Sequence, residues 1–267
     1  MRTGTPIETK LHDLHRAVAG YRGVVVAFSG GVDSALVAAV AARALGDRAL
    51  AVTAVSPSLP PGELEQARLV AAEIGIRHRS VRTDEVRREA YLANGPDRCY
   101  HCKTELYGVL GRVAADEGLP VVASGANADD LGDVRPGLAA AEEHGVRHPL
   151  IETGFTKLDI REASRELGLP TWDKPQSACL SSRIPFGVRI TVEELSRVGR
   201  AERALKDLGF RQVRVRVHGD VARVEVDPAD MARLVERREE VTAALTALGF
   251  RFVTVDLEGF RSGSMIP

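Results

Sequence analysis

Lysine is scarce in this chain. Of its 267 residues, five are Lys (Lys10, Lys103, Lys157, Lys174 and Lys206) against 31 Arg. A general compositional bias toward Arg accounts for the ratio. Three of the five nonetheless fall within or close to the motifs described below, where a compact ammonium suits a site that a guanidinium fork does not. Charge of one sign is also missing: 36 basic against 37 acidic side chains leave −1. That lacks the basic footprint of a dedicated nucleic-acid binder. No apolar run approaches the ~18 residues of a membrane span. The opening residues, MRTGTPIETKLHDL, have no hydrophobic stretch of a secretory signal. The expectation is a soluble, cytoplasmic protein with no membrane partner. The apolar (44%) and charged (27%) fractions, with 25 Gly and 13 Pro, exclude disordered and collagen-like classes. Cysteine is limited to Cys99, Cys102 and Cys179. In a reducing compartment, an odd number with one C-x-x-C pair points to metal or redox chemistry before a structural disulfide.

What is present first is an alternation of strands and helices. Residues 24–28 form a short β-branched run that reads as a buried parallel strand, and the Ala-rich residues 35–45 read as a helix stopped by Gly46. Further strands are expected at 49–55, 77–81 and 119–123, with helices at 61–74, 103–117 and 158–167. This pattern predicts an α/β fold with a doubly wound parallel sheet. After Gly187 the construction changes. A helix at 192–208 precedes alternating strands at 211–217 and 221–226, joined by His218-Gly219-Asp220; a helix at 228–248 and a strand at 251–257 follow. We therefore expect a domain boundary near residue 188, with domains 1–188 and 189–267, the second a smaller α+β unit.

The run Ser29-Gly30-Gly31-Val32-Asp33-Ser34 lies between an apolar strand and a helix start. Two glycines let the backbone approach an anion, and the first helical turn presents N–H groups and the positive end of its dipole to phosphate. The Ser29 and Ser34 hydroxyls add hydrogen bonds, and Asp33 suits Mg2+ beside phosphate oxygens. The plainer alternative is a strand–helix turn whose Ser and Asp only cap the helix. Neither the Walker nor the dinucleotide-binding glycine pattern occurs.

Cys99-Tyr100-His101-Cys102-Lys103 places two thiols about one turn apart, which suits a tetrahedral metal or an iron–sulfur cluster. Cys179 lies in Lys174-Pro175-Gln176-Ser177-Ala178-Cys179-Leu180-Ser181-Ser182-Arg183. Three thiolates leave one position of a four-ligand site open. That fits a cluster with one iron free for an external ligand, or zinc completed by His101 or another His; inert thiols are the third possibility.

SGGVDS resembles the pyrophosphate loop of the ATP pyrophosphatase superfamily, whose members adenylate a substrate oxygen, release pyrophosphate and let a nucleophile displace AMP. RCYHCK, SGANADD, DVRPG, HPLIETGFTK, DKPQSACLSSRIPFG, RVRVHGD and LEGFRSG extend the resemblance to the LarE family over nearly the whole chain. That family consists of ATP-dependent sulfur transferases. They convert the two carboxylates of pyridinium-3,5-biscarboxylic acid mononucleotide into thiocarboxylates for the nickel-pincer cofactor of lactate racemase. The resemblance implies an adenine nucleotide alpha hydrolase-like sheet and ATP with Mg2+, with residues 53–56 facing the adenine. One type in the family sacrifices the sulfur of a single cysteine in the CLSSR-like segment. The other binds a 4Fe-4S cluster through three cysteines and carries an extra sulfide on the open iron. Cys99, Cys102 and Cys179 match the second type, which implies a sulfide source as partner.

The pyrophosphate-binding set is then Ser29, Gly30, Gly31, Asp33 and Ser34, joined by Gly125 of SGANADD. Cys179, Lys103 and Asp33 are the catalytic candidates, and Lys174 also flanks the cysteines. Asn127, Asp129 and Asp130 sit where an open sheet binds ligands, as contacts or as a solvated cap. Arg183 is a candidate for phosphate or carboxylate. Strand alternation sets Arg214, Arg216 and His218 opposite Val213, Val215 and Val217. Paired Arg suit the substrate's phosphate, with Arg261 a weaker candidate; the alternative is a solvent face bridged to Arg223 and Glu225. The resemblance also implies a homohexamer. Rival readings are a tRNA thiolase of the same superfamily, against which the net charge weighs, a sacrificial donor using Cys179, or a non-catalytic nucleotide-binding regulator.

Overall fold

A computed structural model of the chain describes residues 6–132, 136–261 and 265. Residues 133–135 of the DVRPG run and 262–263 of LEGFRSG lie outside the described residues. The first half contains α1 (Pro6–Ala19), β1 (Val24–Ala27), α2 (Val32–Leu45), β2 (Ala49–Val55), α3 (Glu63–Ile74), β3 (Arg77–Arg82), α4 (Glu89–Leu92), α5 (Arg98–Asp116) and β4 (Val121–Ala123). There follow α6 (Pro136–Glu143), α7 (Pro149–Glu152), α8 (Lys157–Glu166), α9 (Val192–Asp207), β5 (Val213–His218), β6 (Val221–Val226), α10 (Met231–Glu236), α11 (Arg238–Thr246) and β7 (Phe252–Val255). No helix among the described residues is long and apolar enough to cross a membrane.

The chain forms two units. One takes residues 1–56, 62–85 and 99–177; the other takes 57–61, 86–98 and 178–267. The division is discontinuous, where the sequence suggested a single cut near residue 188. Two short stretches ahead of α5 belong with the C-terminal unit, and the Cys179 segment goes with it too.

The larger unit is built on a parallel sheet in the order β3-β2-β1-β4. Parallel neighbours need crossover helices, which cover both faces and make the strands apolar on both sides. Val24, Val26, Ala49 and Ala51 pack into a core with residues of α1, α2, α3 and α8. Val25, Leu50 and Val52 face the other way, against Tyr107, Leu110 and Val113 of α5. The doubly wound α/β architecture is therefore as expected. α2 is buried from Val32 to Ala41 apart from Asp33, and its small side chains let it sit close to the sheet.

The smaller unit holds the sheet β5-β6-β7. β5 and β6 form the expected hairpin across 218–220, while β7 runs parallel to β6, giving a mixed sheet. α9 buries Leu195, Val198 and Leu205, and packs on β5.

Several elements differ from the sequence expectation, among them the short helices α4, α6 and α7, which it did not include. α1 was not anticipated; it inserts Ile7, Leu14 and Val18 into the larger core. α5 starts at Arg98, five residues early, so both cysteines of the C-x-x-C pair lie within its first five residues. The helix expected over 228–248 breaks at Arg237, between α10 and α11, where the guanidinium reaches the Leu208 carbonyl.

α8 is fixed at its start by a reciprocal cap. Thr156 accepts from the Asp159 N–H while the Asp159 side chain accepts from the Thr156 N–H. Lys10 pairs with the same carboxylate at 2.6 Å. Replacing Thr156 with Ala should cost about 1 kcal/mol of unfolding free energy, since one orphan donor loses its acceptor. Urea denaturation checks this; an unchanged midpoint would show that the cap contributes nothing.

Candidate functional site

In the larger sheet the chain leaves β1 toward β2 on one side and returns as β4 on the other. The loops at the carboxyl ends of β1 and β4 flank the crevice that such a reversal creates, which is where open α/β sheets take ligands. The first loop is residues 28–31. Gly30 has φ +68°, and a Cβ there would sit 2.9 Å from the Ala67 Cα of α3. Glycine is therefore demanded twice, by conformation and by close approach. The two serines tie the loop together. The Ser29 N–H donates to Ser34 Oγ, and Ser34 Oγ donates to the Gly31 carbonyl, both at 3.2 Å. The Gly31 N–H donates to Ser29 Oγ at 3.3 Å. α2 begins immediately afterwards with Gly31 as N-cap, so its first-turn N–H groups and dipole face the loop.

The loop after β4 closes on this turn. A Cβ on Gly125 would lie 2.8 Å from the Ser34 backbone nitrogen, so only glycine lets the two loops touch. Asn127 donates from Nδ2 to Asp33 Oδ1 at 3.4 Å. Asp130 and Asn127 order their own loop, accepting from the N–H groups of Asn127 and Asp129. Lys157, at the first position of α8, donates to both carboxylate oxygens of Asp33 at 2.6 Å. Asp129 accepts from the Lys157 N–H at 2.8 Å. Asp33, Asn127, Asp129 and Lys157 thus form one cluster beside the phosphate loop. Sequence reasoning gave Lys157 no role; the signal was the scarcity of lysine together with its place in HPLIETGFTK. Lys174 goes to the same loop, where its Nζ lies 3.2 Å from the Gly30 carbonyl and 3.2 Å from Glu63 Oε2.

Of residues 53–56, only Thr53 is buried, and 54–56 are half-buried. Thr53 donates to the Phe28 carbonyl and accepts from His78 Nε2, each at 2.9 Å. Burial, aided by Arg68, holds the His78 pKa below its ordinary value.

Cys99 and Cys102 lie within the first five residues of α5, and Cys179 caps a short 3-10 turn at Leu180–Arg183 in the other unit. None of the three is in a disulfide; Cys99 and Cys179 are exposed, and Cys102 is half-buried. The donor chemistry suits iron or zinc, although no group of three or more His, Cys, Asp or Glu is gathered for a metal among the described residues. Lys103 follows Cys102, and its ammonium lies 5.8 Å from the Tyr107 ring centroid. His148 Nδ1 meets Ser124 Oγ at 2.7 Å. Burial keeps His148 below the usual imidazole pKa against the pull of Glu152 and Asp130, and Lys103 pushes the same way as burial.

The smaller unit buries three of the arginines expected to bind anions. Arg183 has partners within the protein. It is 1% exposed, with Nε and Nη2 on Glu202 at 2.7 and 2.9 Å. Its Nη1 donates to the carbonyls of Ala178 and Cys179, both at 2.9 Å, and to Ser182 Oγ. It positions the cysteine segment. The Arg214/Arg216 face of the hairpin is not a solvent face, because both side chains are buried. Arg216 forks onto Glu225 at 3.0 and 2.8 Å and reaches the Ser182 carbonyl at 2.9 Å. Arg214 stacks 4.9 Å from the Phe260 ring centroid. Burial, with Arg183 and Arg216 nearby, lowers its pKa to about 10. Among the described residues, Arg183, Arg214 and Arg216 lie in this interior with the carboxylates of Glu202 and Glu225. Arg261 is more exposed and pairs with Asp256 at 3.3 Å.

Residues 8–96 match the NAD synthase family. The chain is 48% identical over 261 residues to an uncharacterised protein of Synechocystis sp., covering 97% of each. It is 40% identical over 260 residues to the pyridinium-3,5-bisthiocarboxylic acid mononucleotide synthase of Lactiplantibacillus plantarum, covering 97% of this chain and 94% of that protein. A tRNA-specific 2-thiouridylase of Azorhizobium caulinodans is 34% identical over 193 residues, 58% of this chain and 49% of its own.

The buried Arg183–Glu202 pair generates a prediction. Glu202→Gln leaves a guanidinium in the interior without its counter-charge, a loss of roughly 3–5 kcal/mol. Chemical denaturation should show it, and the alkylation rate of Cys179 should change as its anchored segment loosens. A loss below about 1 kcal/mol with unaltered alkylation would mean that the pair does not hold the segment.

Proposed function

The chain belongs to the family of LarE-type pyridinium-3,5-bisthiocarboxylic acid mononucleotide synthases, and from that membership we propose that it is an ATP-dependent sulfurtransferase acting on pyridinium-3,5-biscarboxylic acid mononucleotide. A carboxylate oxygen of the substrate attacks the α-phosphorus of ATP. The acyl-adenylate forms and pyrophosphate leaves. A sulfur nucleophile then adds to the activated carbonyl, AMP departs, and a thiocarboxylate remains; the second carboxylate follows the same course. The observation that carries this reading is the loop of Ser29–Ser34 at the start of α2, with Lys157 on Asp33 and Lys174 on Gly30.

Each group has a task in this chemistry. Ser29, Gly30, Gly31, Ser34 and Gly125 bind the pyrophosphate portion, where first-turn N–H groups stabilise the charge of the leaving group. Asp33 would hold Mg2+, which would balance charge on the phosphates, and Lys157, beside Asp33, is placed to bind a phosphate oxygen. Arg214, Arg216 and Arg261 take the phosphate of the mononucleotide; Arg214 and Arg216 share one face of β5, where paired guanidiniums suit a phosphate. Cys99, Cys102 and Cys179 would hold a 4Fe-4S cluster, with Lys103 beside them to balance thiolate charge. When bound, that cluster supplies sulfide at the iron lacking a protein ligand. In this reading the enzyme works in the cytoplasm as a homohexamer, draws on a sulfide source and needs no nucleic acid.

The test is release of AMP and pyrophosphate on anaerobically purified protein, with iron and acid-labile sulfide counted per chain. Release should require the pyridinium dicarboxylate mononucleotide, each chain should hold about four iron atoms, and Cys99→Ala should end multiple turnover. Nucleotide turnover stimulated by tRNA instead would overturn the substrate assignment. Undiminished turnover by Cys99→Ala, or conversion of Cys179 to dehydroalanine after a single round, would overturn the cluster in favour of another sulfur donor.

A further inference from the structure

Lys174 lies five residues before Cys179, and the structure ties it to the phosphate loop. Its ammonium reaches the carbonyl of Gly30, the residue whose left-handed backbone shapes that loop. Its second partner is Glu63, in the first turn of α3. The side chains are 21% and 13% exposed, so the charges are only partly screened by solvent. The same helix presses Ala67 against Gly30, so loop, helix and lysine form one closed set of contacts. The backbone beneath Lys174 is fixed as well. Arg161 of α8 donates to the carbonyls of Trp172 and Lys174 at 2.7 and 3.0 Å, and α8 opens with Lys157. Two of the five lysines therefore converge on the loop from either end of one bracket.

Both contacts of the Lys174 ammonium are 3.2 Å long, against about 2.7–2.9 Å for a well-formed charge-assisted bond. An ammonium is a compact charge that turns about its stem, unlike the guanidinium used elsewhere in this chain. A polyphosphate entering the loop outweighs a single carboxylate as its partner. We infer that Lys174 is a phosphate-binding residue of the nucleotide site, and that Glu63 is its resident competitor. With the loop empty, Glu63 and the Gly30 carbonyl hold the ammonium; with polyphosphate bound, the ammonium leaves Glu63 for a phosphate oxygen. The inference rests on reading residues 29–34 as an ATP site.

The pair predicts opposite signs for its two halves. Calorimetric titration of the full-length protein with Mg·ATP, and separately with inorganic pyrophosphate, should show Lys174→Met binding about tenfold more weakly. Glu63→Gln should bind about threefold more tightly, because the competing carboxylate is gone. Lys174→Arg should fall between Lys174→Met and wild type. Melting temperatures separate a folding defect from a binding one, and tighter binding by Glu63→Gln cannot come from misfolding. If wild type binds but both variants bind equally well, or both weaken, the pair is a structural bridge and the inference is overturned. If wild type itself binds neither Mg·ATP nor pyrophosphate, the nucleotide-site reading fails first and this inference falls with it.

Discussion

A parallel strand cannot be joined to its neighbour by a hairpin, so each connection in the larger sheet must cross over through a helix. β1 has such neighbours on both sides, β2 and β4. Its carboxyl end is consequently where the chain turns one way on leaving and comes back from the other. The 28–31 loop and the 124–130 loop face each other there, close enough that Gly125 admits no Cβ against Ser34. α8 follows the second loop, and its capped start places Lys157 on Asp33. The electrostatics of the candidate site all descend from that one constraint on strand order.

The two cations of the chain are used in different ways. Around the phosphate loop the positive groups are lysines, each on a carboxylate and each partly open to solvent. Such pairs cost little to separate, which suits a site that must exchange partners when an anion arrives. In the smaller unit Arg183 and Arg216 are buried in planar forks on Glu202 and Glu225. Separating either would strand a charge in the interior, so Arg183 holds geometry and Arg216 meets an anion with its fork intact. Within the general bias toward Arg, two of the five lysines thus mark the phosphate loop.

Much of the frame was legible in the sequence because it depends on local pattern. β2 and β6 have the expected bounds, and the His218-Gly219-Asp220 turn joins β5 to β6 where alternation required it. The start of α5 was not legible: Arg98-Cys99-Tyr100-His101-Cys102 shows no apolar period, and Gly95 and Pro96 precede it. The break at Arg237 contains neither Gly nor Pro; a long-range bond to the Leu208 carbonyl marks it instead. The candidate site divides the same way. SGGVDS announces an anion loop by its own letters, whereas the Lys157–Asp33 contact joins residues 124 positions apart. The burial of Arg214 and Arg216 was equally hidden, since alternation cannot tell a polar face turned to water from one turned to buried carboxylates.

The Cys179 segment shows what long-range pairing adds to a short motif. Residues 178–183 have little apolar side chain beyond Leu180, so burial alone would hold them weakly. Their backbone acceptors are held by arginines instead. Arg183 takes the carbonyls of 178 and 179, Arg98 takes that of Ser181, and Arg216 takes that of Ser182. A guanidinium can serve here because its fork donates to a carboxylate and to carbonyls at once; a lysine has the charge without the planar spread. Each of the three arginines is braced in turn, by Glu202, by the side chain of Asn94 or by Glu225. The backbone of the segment is thereby fixed while the thiol of Cys179 stays exposed. The role proposed for Cys179 needs that combination, because a thiol that takes part in chemistry must be reachable and the chain that presents it must not drift.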